Sequence, residues 1–290
     1  MQLSLDNKFC TYFPPKTQLL KWVGNKQKYA VEIAQYFPID FKNYFEPFLG
    51  SGAILSTVAP ESGLGSDSFK PLIEIWKQLK RNPEELVLWY AKRRNRLNNE
   101  NKETVYESVK ASYNKKPNGP DFLFLSRSCY GGVIRFRKID GYMSTPCGAH
   151  TPISVNGFQK RVFEWNKRVK NVDFENIDYT EAFKMARKGD FIYCDPPYSY
   201  SQAILYGAQD FRLDQLLEEI KRAKDKGIKI ALSIDGHKKS GNFICDIPIP
   251  DKLFEREIQI KLGSSMLKRF QSNGERMINE DVTDRLMLTY

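Results

Sequence analysis

The tetrapeptide Asp-Pro-Pro-Tyr at positions 195–198 has the composition of a surface that holds an amino group. Pro196 and Pro197 stiffen the backbone and remove two N–H donors, so a carboxylate, carbonyl oxygens and an aromatic ring remain. Such a surface accepts hydrogen bonds from a planar exocyclic amine, while Tyr198 stacks on the ring that carries the amine. The nitrogen lone pair then faces an electrophile. A plain turn at the end of a strand is the alternative interpretation.

Residues 46–52, Glu-Pro-Phe-Leu-Gly-Ser-Gly, predict a second ligand-binding turn. Gly50 and Gly52 let the backbone approach a ligand closely. Asp67 follows 15 residues after Gly52 and is suited to accept hydrogen bonds from ribose hydroxyls. The phosphate-binding patterns Gly-x-Gly-x-x-Gly and Gly-x-x-x-x-Gly-Lys-Ser/Thr are absent from the sequence, so a nucleoside ligand without phosphates fits better. An ordinary glycine turn with a capping Asp is the alternative.

Residues 20–26, Leu-Lys-Trp-Val-Gly-Asn-Lys, add an aromatic plane and a cation near the N-terminus. Trp22 offers a stacking surface, and Lys26 offers a charge for a ligand carboxylate. Taken singly, a packed tryptophan and a surface lysine explain the two residues equally well.

The order of strands and helices must position these motifs. Strands alternating with helices at both ends of the chain predict one mostly parallel sheet, and ligands bind beyond the carboxyl ends of such strands. The predicted strands cover residues 43–48, 64–67, 172–174, 190–194 and 228–233, followed by an antiparallel pair at 254–262 and 285–290. The predicted helices of this part cover residues 53–58, 70–79, 179–187 and 213–226, the last ending at Gly227.

The middle of the chain interrupts this alternation. Residues 83–113 have a helical, heavily charged pattern, and 121–127 continue as a short apolar helix. Residues 156–168 predict a helix with Phe158, Val162 and Trp165 on one face. Residues 128–152 lack a clean period and hold six glycine or proline positions, which predicts a long functional loop.

The charge is concentrated in this middle part. The 290 residues carry 45 Lys and Arg against 35 Asp and Glu, a net charge of +10 that suggests a polyanionic partner. Residues 70–170 hold 21 basic and 9 acidic side chains, a net of +12, and the rest hold 24 and 26, a net of −2. The sequence therefore predicts a near-neutral domain at 1–67 and 172–290 with a basic module inserted at 68–171.

The remaining composition narrows the class of protein. Hydrophobic residues make up 41% of the chain, enough for a sizeable core, and no stretch approaches the ~18 apolar residues of a membrane span. Five scattered cysteines without a Cys-x-x-Cys spacing indicate neither a disulfide framework nor a zinc knuckle. Only two histidines are available for a metal site or a Ser-His-Asp triad. The first 15 residues lack the apolar core of a signal peptide, so we expect a reducing, cytoplasmic compartment.

Together the three motifs resemble the Dam-like DNA adenine-N6 methyltransferases, the D12 class of the alpha group. Residues 20–26 look like the family's F-L-K-W-A-G-G-K, residues 46–52 look like E-P-F-x-G-x-G, and residues 195–198 match its D-P-P-Y box. At the end of the short apolar helix, residues 124–127 look like F-L-x-x-R, and in the loop residues 130–132, 135 and 145–146 look like Y-N-G, R and x-P. The order of the motifs is that of the alpha group, and the resemblance runs from about residue 19 to the C-terminus.

This resemblance implies a Rossmann-like α/β catalytic domain with an inserted, mainly helical DNA-recognition domain. It implies methyl transfer from S-adenosylmethionine, which becomes S-adenosylhomocysteine, to N6 of an adenine flipped out of double-stranded DNA, with no metal. The implied cofactor contacts are Trp22, Lys26, Glu46, Phe48, Gly50, Gly52, Asp67, Asp178 and Asp195. The implied catalytic residues are Asp195, Pro196, Pro197 and Tyr198.

The resemblance also implies where DNA is bound. Arg135 is the candidate for reading a base, because Arg pairs with guanine in the major groove. The predicted DNA contacts are Arg127, Tyr130, Arg135, Arg137 and Lys138 in the loop, and Ser264, Ser265, Lys268 and Arg269 near the flipped base. A prokaryotic or phage-type, DNA-associated protein is expected. A cognate restriction endonuclease as a second partner, and the choice between monomer and dimer, stay open.

Three positions depart from the family pattern. Gly131 stands where relatives that methylate GATC carry Asn, which weighs against a GATC target. The sequence Leu-Ser-Ile-Asp at 232–235 replaces the usual Ser-Asn after the fifth core strand, and Asn25 replaces a glycine of the first motif.

Three other activities compete with this interpretation. N4-cytosine methylation uses the same class of amino acceptor, but its box more often begins with Ser than with Asp. C5-cytosine methylation is echoed by Pro146-Cys147 and Glu175-Asn176, yet it leaves residues 195–198 unexplained. A non-catalytic DNA-binding protein with a relic cofactor fold would not need both Asp67 and Asp195.

Overall fold

The computed structural model describes residues 11–197, 211–238, 249–263 and 282–290, and the side chains of all of these except 235–238, 261–263 and 282–283. Seven strands and nine α-helices lie in this part of the chain. The strands are β1 (Tyr44–Glu46), β2 (Gly63–Ser66), β3 (Val172–Glu175), β4 (Phe191–Cys194), β5 (Lys229–Lys238), β6 (Arg256–Gly263) and β7 (Val282–Leu288). The helices are α1 (Ala30–Ala34), α2 (Ala53–Val58), α3 (Lys70–Arg81), α4 (Pro83–Arg94), α5 (Lys102–Lys115), α6 (Gly119–Ser128), α7 (Val155–Val169), α8 (Tyr179–Met185) and α9 (Leu213–Asp225).

The strands form one sheet in the order β3-β2-β1-β4-β5-β7-β6. The first five strands are parallel, and β7 pairs antiparallel with both β5 and β6. The chain passes from β1 outward to β3 and then begins again at β4 beside β1. This reversal of strand order leaves a crevice at the carboxyl ends of β1 and β4. The predicted mostly parallel sheet with an antiparallel closing pair is confirmed.

Helices cover both faces of the sheet. Alternation along β4 sends Phe191 and Tyr193 to one core and Ile192 and Cys194 to the other. The helices α8 and α9 cover the second face, while α1, α2 and the helical middle of the chain cover the first. Burial on both faces explains why β4 is continuously apolar, whereas the edge strand β3 alternates between buried and exposed residues.

The basic middle region shares the core of the sheet. Trp76 of α3 stacks on Phe174 of β3 with 5.6 Å between ring centroids, and it contacts Trp165 of α7 at 5.7 Å. Trp165 lies with Phe158 and Val162 on the buried face of α7, as predicted. The hydrophobic core is therefore continuous across residue 67, and the division into two domains stays a prediction about charge and function.

Side-chain caps explain where two of the middle helices begin. The predicted helical stretch 83–113 is divided into α4 and α5 by a 3₁₀ turn at Asn95–Asn98. The carbonyl oxygens of the Asn82 and Asn101 side chains accept hydrogen bonds from the main-chain N–H of Glu85 and Glu103 and so begin the two helices.

Within the described residues, no helix combines the length and the apolar composition that crossing a bilayer requires.

The predicted loop 128–152 contains an irregular hairpin, residues 129–147, which we call the basic hairpin. Cys129 pairs with Cys147 at its base, and Phe136 pairs with Met143 near its tip. The main-chain N–H of Arg137 donates to the Tyr142 carbonyl at 2.9 Å. Polar loop residues are thus fixed by backbone pairing that the sequence pattern did not predict.

Candidate active site

A cavity of about 520 Å³ lies at the carboxyl ends of β1, β2 and β4, where the strand order reverses. All three motifs of the sequence analysis contribute to it. Ten of the residues predicted for the cofactor or for the catalytic tetrapeptide line this cavity: Trp22, Lys26, Glu46, Phe48, Gly50, Asp67, Asp178, Asp195, Pro196 and Pro197. The predicted residues Tyr198, Ser264, Ser265, Lys268 and Arg269 lie outside the described residues.

The glycine turn after β1 adopts a backbone that favours glycine. Gly50 and Gly52 have φ of +47° and +60°, in the left-handed region. A Cβ at Gly50 would lie 2.9 Å from the indole nitrogen of Trp22, and one at Gly52 would lie 2.7 Å from the ring of Trp76. Gly50 lines the cavity, as predicted, whereas Gly52 makes room for a tryptophan and does not line the cavity.

Asp67 fixes this turn from the end of β2. Its carboxylate accepts hydrogen bonds from the main-chain N–H of Gly50 at 3.1 Å and of Phe69 at 3.0 Å. Burial raises the pKa of Asp67 to about 6, although these two hydrogen bonds oppose the shift. The carboxylate that was predicted to meet a ribose thus lies in the cavity wall, charged at neutral pH.

Lys26 is buried, with 5% of its side chain exposed. The surface-lysine interpretation is therefore wrong. Its Nζ lies 2.9 Å from Oδ1 of Asp195 and 3.2 Å from Oδ2 of Asp284. Burial alone would lower the pKa of Lys26, but the attraction of Asp195 and Asp284 outweighs it and raises the pKa above its usual value. Lys26 is thus an ammonium group shared by two carboxylates.

Asp284 was missed by the sequence analysis. It lies on β7, is buried with Leu286 and Leu288, and occupies the same face of the strand as both. An acidic residue in the inward position of an otherwise apolar alternation is a signal that the sequence did contain. The pairing of β7 with β5 then brings this carboxylate to Lys26.

Glu46 lies beside this ion pair at the end of β1. The hydroxyl of Tyr44 donates to Oε2 of Glu46 at 2.6 Å. Burial raises the pKa of Glu46 to about 8, a shift that the hydrogen bond from Tyr44 opposes and the charge of Asp195 reinforces. Glu46 is therefore mostly protonated at pH 7. Among the described groups, Lys26, Asp195 and Asp284 form a cluster of one ammonium and two carboxylates beside it.

An aromatic cluster forms another part of the cavity wall. Phe48 stacks on Tyr179 with 5.3 Å between ring centroids, and Phe211 meets Phe48 edge-on at 5.7 Å. Asp178 lines the cavity beside them and caps α8 by accepting a hydrogen bond from the main-chain N–H of Thr180. Tyr179 and Phe211 were missed because their part in the cavity depends on how α8 and the segment before α9 pack on β1.

The predicted DNA contacts of the basic hairpin are exposed. Arg135, Arg137 and Lys138 are exposed, as is Tyr130 at about half of its surface. The main-chain N–H of Arg135 donates to the Thr145 hydroxyl at 2.7 Å, so the backbone under the exposed guanidinium is held in place. In Arg137 the guanidinium lies over the Tyr142 ring at 4.2 Å and pairs with Asp140.

Arg127 was also predicted to contact DNA, and its position argues against that role. Its guanidinium is buried and donates to the carbonyls of Leu19 at 2.5 Å and Gln18 at 3.3 Å. Burial, and then the nearby Arg161, lower the pKa of Arg127 to about 10. Arg161 donates to the same Gln18 carbonyl at 2.8 Å. Arg127 therefore holds the segment that leads to Trp22, a function that sequence spacing alone cannot distinguish from DNA binding.

Cys147, which a C5-cytosine methylation mechanism would use as its nucleophile, has the environment of a packed cysteine. Cys147 lies at the base of the basic hairpin, outside the cavity lining. Burial raises the pKa of the Cys147 thiol, which disfavours the thiolate that such a mechanism needs.

Among the described residues, no group of three or more His, Cys, Asp or Glu side chains is placed to hold a metal ion.

Comparisons with known proteins agree with this geometry. The profile of the family described as D12 class N6 adenine-specific DNA methyltransferase matches residues 22–261. A DNA adenine methylase of Vibrio cholerae is 26% identical over 230 residues, covering 74% of this chain and 79% of the relative. The type II methyltransferase M.MjaIII of Methanocaldococcus jannaschii is 29% identical over 245 residues, covering 74% and 82%. The type II methyltransferase M1.LlaDCHI of Lactococcus lactis is 25% identical over 231 residues, covering 73% and 79%.

Proposed function

Because the chain belongs to the D12 class of N6 adenine-specific DNA methyltransferases, we propose that its cavity binds S-adenosylmethionine and that Asp195 holds the amino group that is methylated. The reaction of the family is methylation of adenine N6 in DNA, which favours this reaction over the N4-cytosine, C5-cytosine and non-catalytic alternatives. Asp195 at the head of the tetrapeptide agrees with an adenine acceptor. The observation that carries the proposal is the position of Asp195, which ends β4 in the wall of the cavity and pairs with Lys26.

The charge of the cavity fits this cofactor. S-adenosylmethionine carries a sulfonium cation and supplies the methyl group when bound, and it contains no phosphate. The carboxylates of Asp67, Asp178 and Asp195 in the cavity wall attract a cation and would repel a polyphosphate. The aromatic cluster of Phe48 and Tyr179 offers a surface for a purine ring.

The roles of the remaining cavity residues follow from their chemistry. Asp67 accepts hydrogen bonds from ribose hydroxyls, and Asp178 faces the adenine end. Trp22 gives a plane for stacking, and Lys26 contributes to the cavity as the ion-pair partner of Asp195. The backbone of residues 46–52 lets a ligand approach the sheet edge closely.

Asp67 gives the first testable prediction, a dependence of cofactor affinity on pH. Its pKa of about 6 means that the carboxylate gains a proton as the pH falls below 6 and then loses hydrogen-bond acceptor capacity. We expect the Kd for S-adenosylmethionine to rise below pH 6, by at most about tenfold per pH unit. Isothermal titration calorimetry from pH 5 to 8 measures this.

Two variants accompany the titration. Asp67→Asn should weaken binding at pH 7.5 and remove the rise below pH 6. Asp178→Asn, which alters another carboxylate of the same cavity, should keep that rise. A wild-type Kd that does not change between pH 5 and 7 would contradict the proposed role of Asp67.

The acceptor side uses the residues after β4. A flipped adenine costs a few kcal/mol to extrude, and stacking on an aromatic ring returns about 1–3 kcal/mol. Asp195 and the Pro196 carbonyl accept hydrogen bonds from N6, which orients the amine and favours a pyramidal nitrogen over conjugation with the ring. Tyr198 is proposed as the stacking partner. Positioning and the negative charge of Asp195 then account for most of the acceleration.

DNA binding is proposed for the basic region 68–171, with the basic hairpin as the reading element. Its net charge supplies salt-dependent affinity for phosphates. Arg135, exposed on a backbone that Thr145 holds, is proposed to read a base. Tyr130, Arg137 and Lys138 are proposed as neighbouring contacts. Gly131, with φ of +62° and no side chain, supports a target other than GATC.

Replacing Arg135 by alanine should therefore relax or destroy the site preference more than it reduces nonspecific binding. Loss of one bidentate base contact removes about 1–3 kcal/mol of discrimination. Methylation kinetics on cognate and single-mismatch duplexes measure the site preference, and the Kd for random DNA measures nonspecific binding. Arg137→Ala is the matched control, for which we expect similar weakening on all sequences and a smaller salt dependence. Uniform weakening by Arg135→Ala would mark Arg135 as a phosphate contact.

A role in restriction-modification is proposed from the names of two relatives, which are type II methyltransferases. In that case the methyl group at the recognised site blocks cleavage by a cognate endonuclease. Sequencing modified bases in DNA from cells that express this chain gives the site. Cleavage of that DNA by an endonuclease specific for the same site would argue for a different role.

A further inference from the structure

The carboxylate of Asp284 is the part of the buried charge cluster that the proposed function leaves unused. Only 3% of its side chain is exposed, and Oδ2 lies 3.2 Å from Nζ of Lys26. The same Nζ lies 2.9 Å from Oδ1 of Asp195. One ammonium thus joins the acceptor residue after β4 to an acid on β7, the last strand of the chain.

The energetics of burial make this third charge informative. Lys26 and the partly buried Asp195 alone would form a neutral pair, and an additional, fully buried carboxylate carries a desolvation penalty. Asp284 has Leu286 and Leu288 as neighbours on its face of β7, which increases that penalty. The Lys26 ammonium stabilises the buried carboxylate of Asp284. Because Lys26 already has Asp195 as a partner, folding alone does not require a second carboxylate beside it.

The reaction gives a reason for the extra negative charge. As the N6 lone pair forms the bond to the methyl carbon, the C–S electron pair stays on sulfur and N6 becomes positively charged. N6 then gives up one of its two protons to water. Asp195 stabilises the positive charge that develops on N6. The adjacent Lys26 ammonium would destabilise that charge unless a second carboxylate balanced it.

We infer that Asp284 is a positioning residue for methyl transfer, which balances the charge of Lys26 and holds its ammonium so that Asp195 keeps its full negative charge for the adenine amino group. The inference rests on the proposed role of Asp195. Asp284 does not line the cavity, so it acts through Lys26 and not by contact with either substrate.

The test separates charge from folding and from binding. Asp284→Asn preserves shape and removes the charge, and we expect single-turnover methyl transfer at saturating S-adenosylmethionine and DNA to slow by at least about tenfold. The Kd for each substrate should stay within about threefold of the wild-type value. A slowed rate with unchanged binding is a result that loss of packing alone would not give.

A matched control exists on the same sheet. Asp190 is also a buried acid, and its carboxylate accepts hydrogen bonds from Asn43 and from the main-chain N–H of Arg187 before β4 begins. Asp190→Asn should lower the thermal midpoint but leave the single-turnover rate of the folded protein unchanged. Equal slowing by both substitutions would overturn the inference.

A second variant pair tests whether Asp284 acts through Lys26, at a temperature at which urea denaturation shows that Lys26→Met is still folded. With Lys26→Met the charge that Asp284 balances is gone, so adding Asp284→Asn should change the single-turnover rate by less than about threefold and should raise stability. A full tenfold loss in that background, an unchanged rate in the single variant, or a loss confined to cofactor affinity would each overturn the inference. Failure of the underlying proposal looks different, because Asp195→Ala would then retain turnover whatever Asp284 does.

Discussion

Replacing Asp195 by alanine should reduce methyl transfer by about 10³-fold or more, because the adenine amino group then loses both its acceptor and the charge that stabilises the transition state. The fold should persist, since Lys26 keeps Asp284 as a buried partner 3.2 Å away. Transfer of a labelled methyl group to DNA under single-turnover conditions measures the loss. Binding of S-adenosylmethionine and DNA, measured separately, should change far less than the rate.

Asp195→Asn is the matched control for shape. It retains an oxygen that accepts one hydrogen bond but removes the negative charge, so its rate should lie between those of wild type and Asp195→Ala. Turnover of Asp195→Ala within tenfold of the wild-type rate would refute the role of this carboxylate. If the two variants are equally slow, the negative charge of Asp195, and not hydrogen bonding alone, determines the rate of methyl transfer.

Replacing Lys26 by methionine should destabilise the fold more than any other single substitution at the site. The change removes the ammonium that the buried Asp284 and the partly buried Asp195 share. Removal of one partner from a buried ion pair costs about 3–5 kcal/mol. Urea denaturation at pH 7.5 measures the free energy of unfolding directly.

Lys77 provides the matched control for this substitution. It pairs with Glu175 at 2.8 Å, but 48% of each side chain is exposed, and such surface pairs contribute about 1 kcal/mol or less. Lys77→Met should therefore lie within about 1 kcal/mol of wild type. A loss of stability by Lys26→Met no larger than that of Lys77→Met would show that the buried pair contributes little.

The parts of the molecule with local signals were predicted well. Strand β4 lies within the predicted 190–194 because Phe191 to Cys194 are continuously apolar, and α9 ends before Gly227, which has φ of +76°. The motifs around Gly50, Asp67 and Asp195 meet at one cavity because each follows a strand of the same parallel sheet. Parallel strands bring their carboxyl ends to one edge, so order along the chain was sufficient.

The parts that depend on contacts distant in sequence were not predicted. Asp284 reaches Lys26 only through the antiparallel register of β7 with β5. Arg127 is buried because the carbonyls of Gln18 and Leu19 come within reach of its guanidinium, more than 100 residues away along the chain. Side-chain type gave no way to separate such an arginine from the exposed Arg135, since both follow the same family pattern.

The measurement that tests the central claim most directly identifies the methylated nucleoside. Wild-type protein and Asp195→Ala are each incubated with methyl-labelled S-adenosylmethionine and double-stranded DNA, and the DNA is digested to nucleosides. We predict label in N6-methyldeoxyadenosine with the wild type, and almost none with the variant although it still binds the cofactor. Label in N4-methyldeoxycytidine, or undiminished label with Asp195→Ala, would contradict the account.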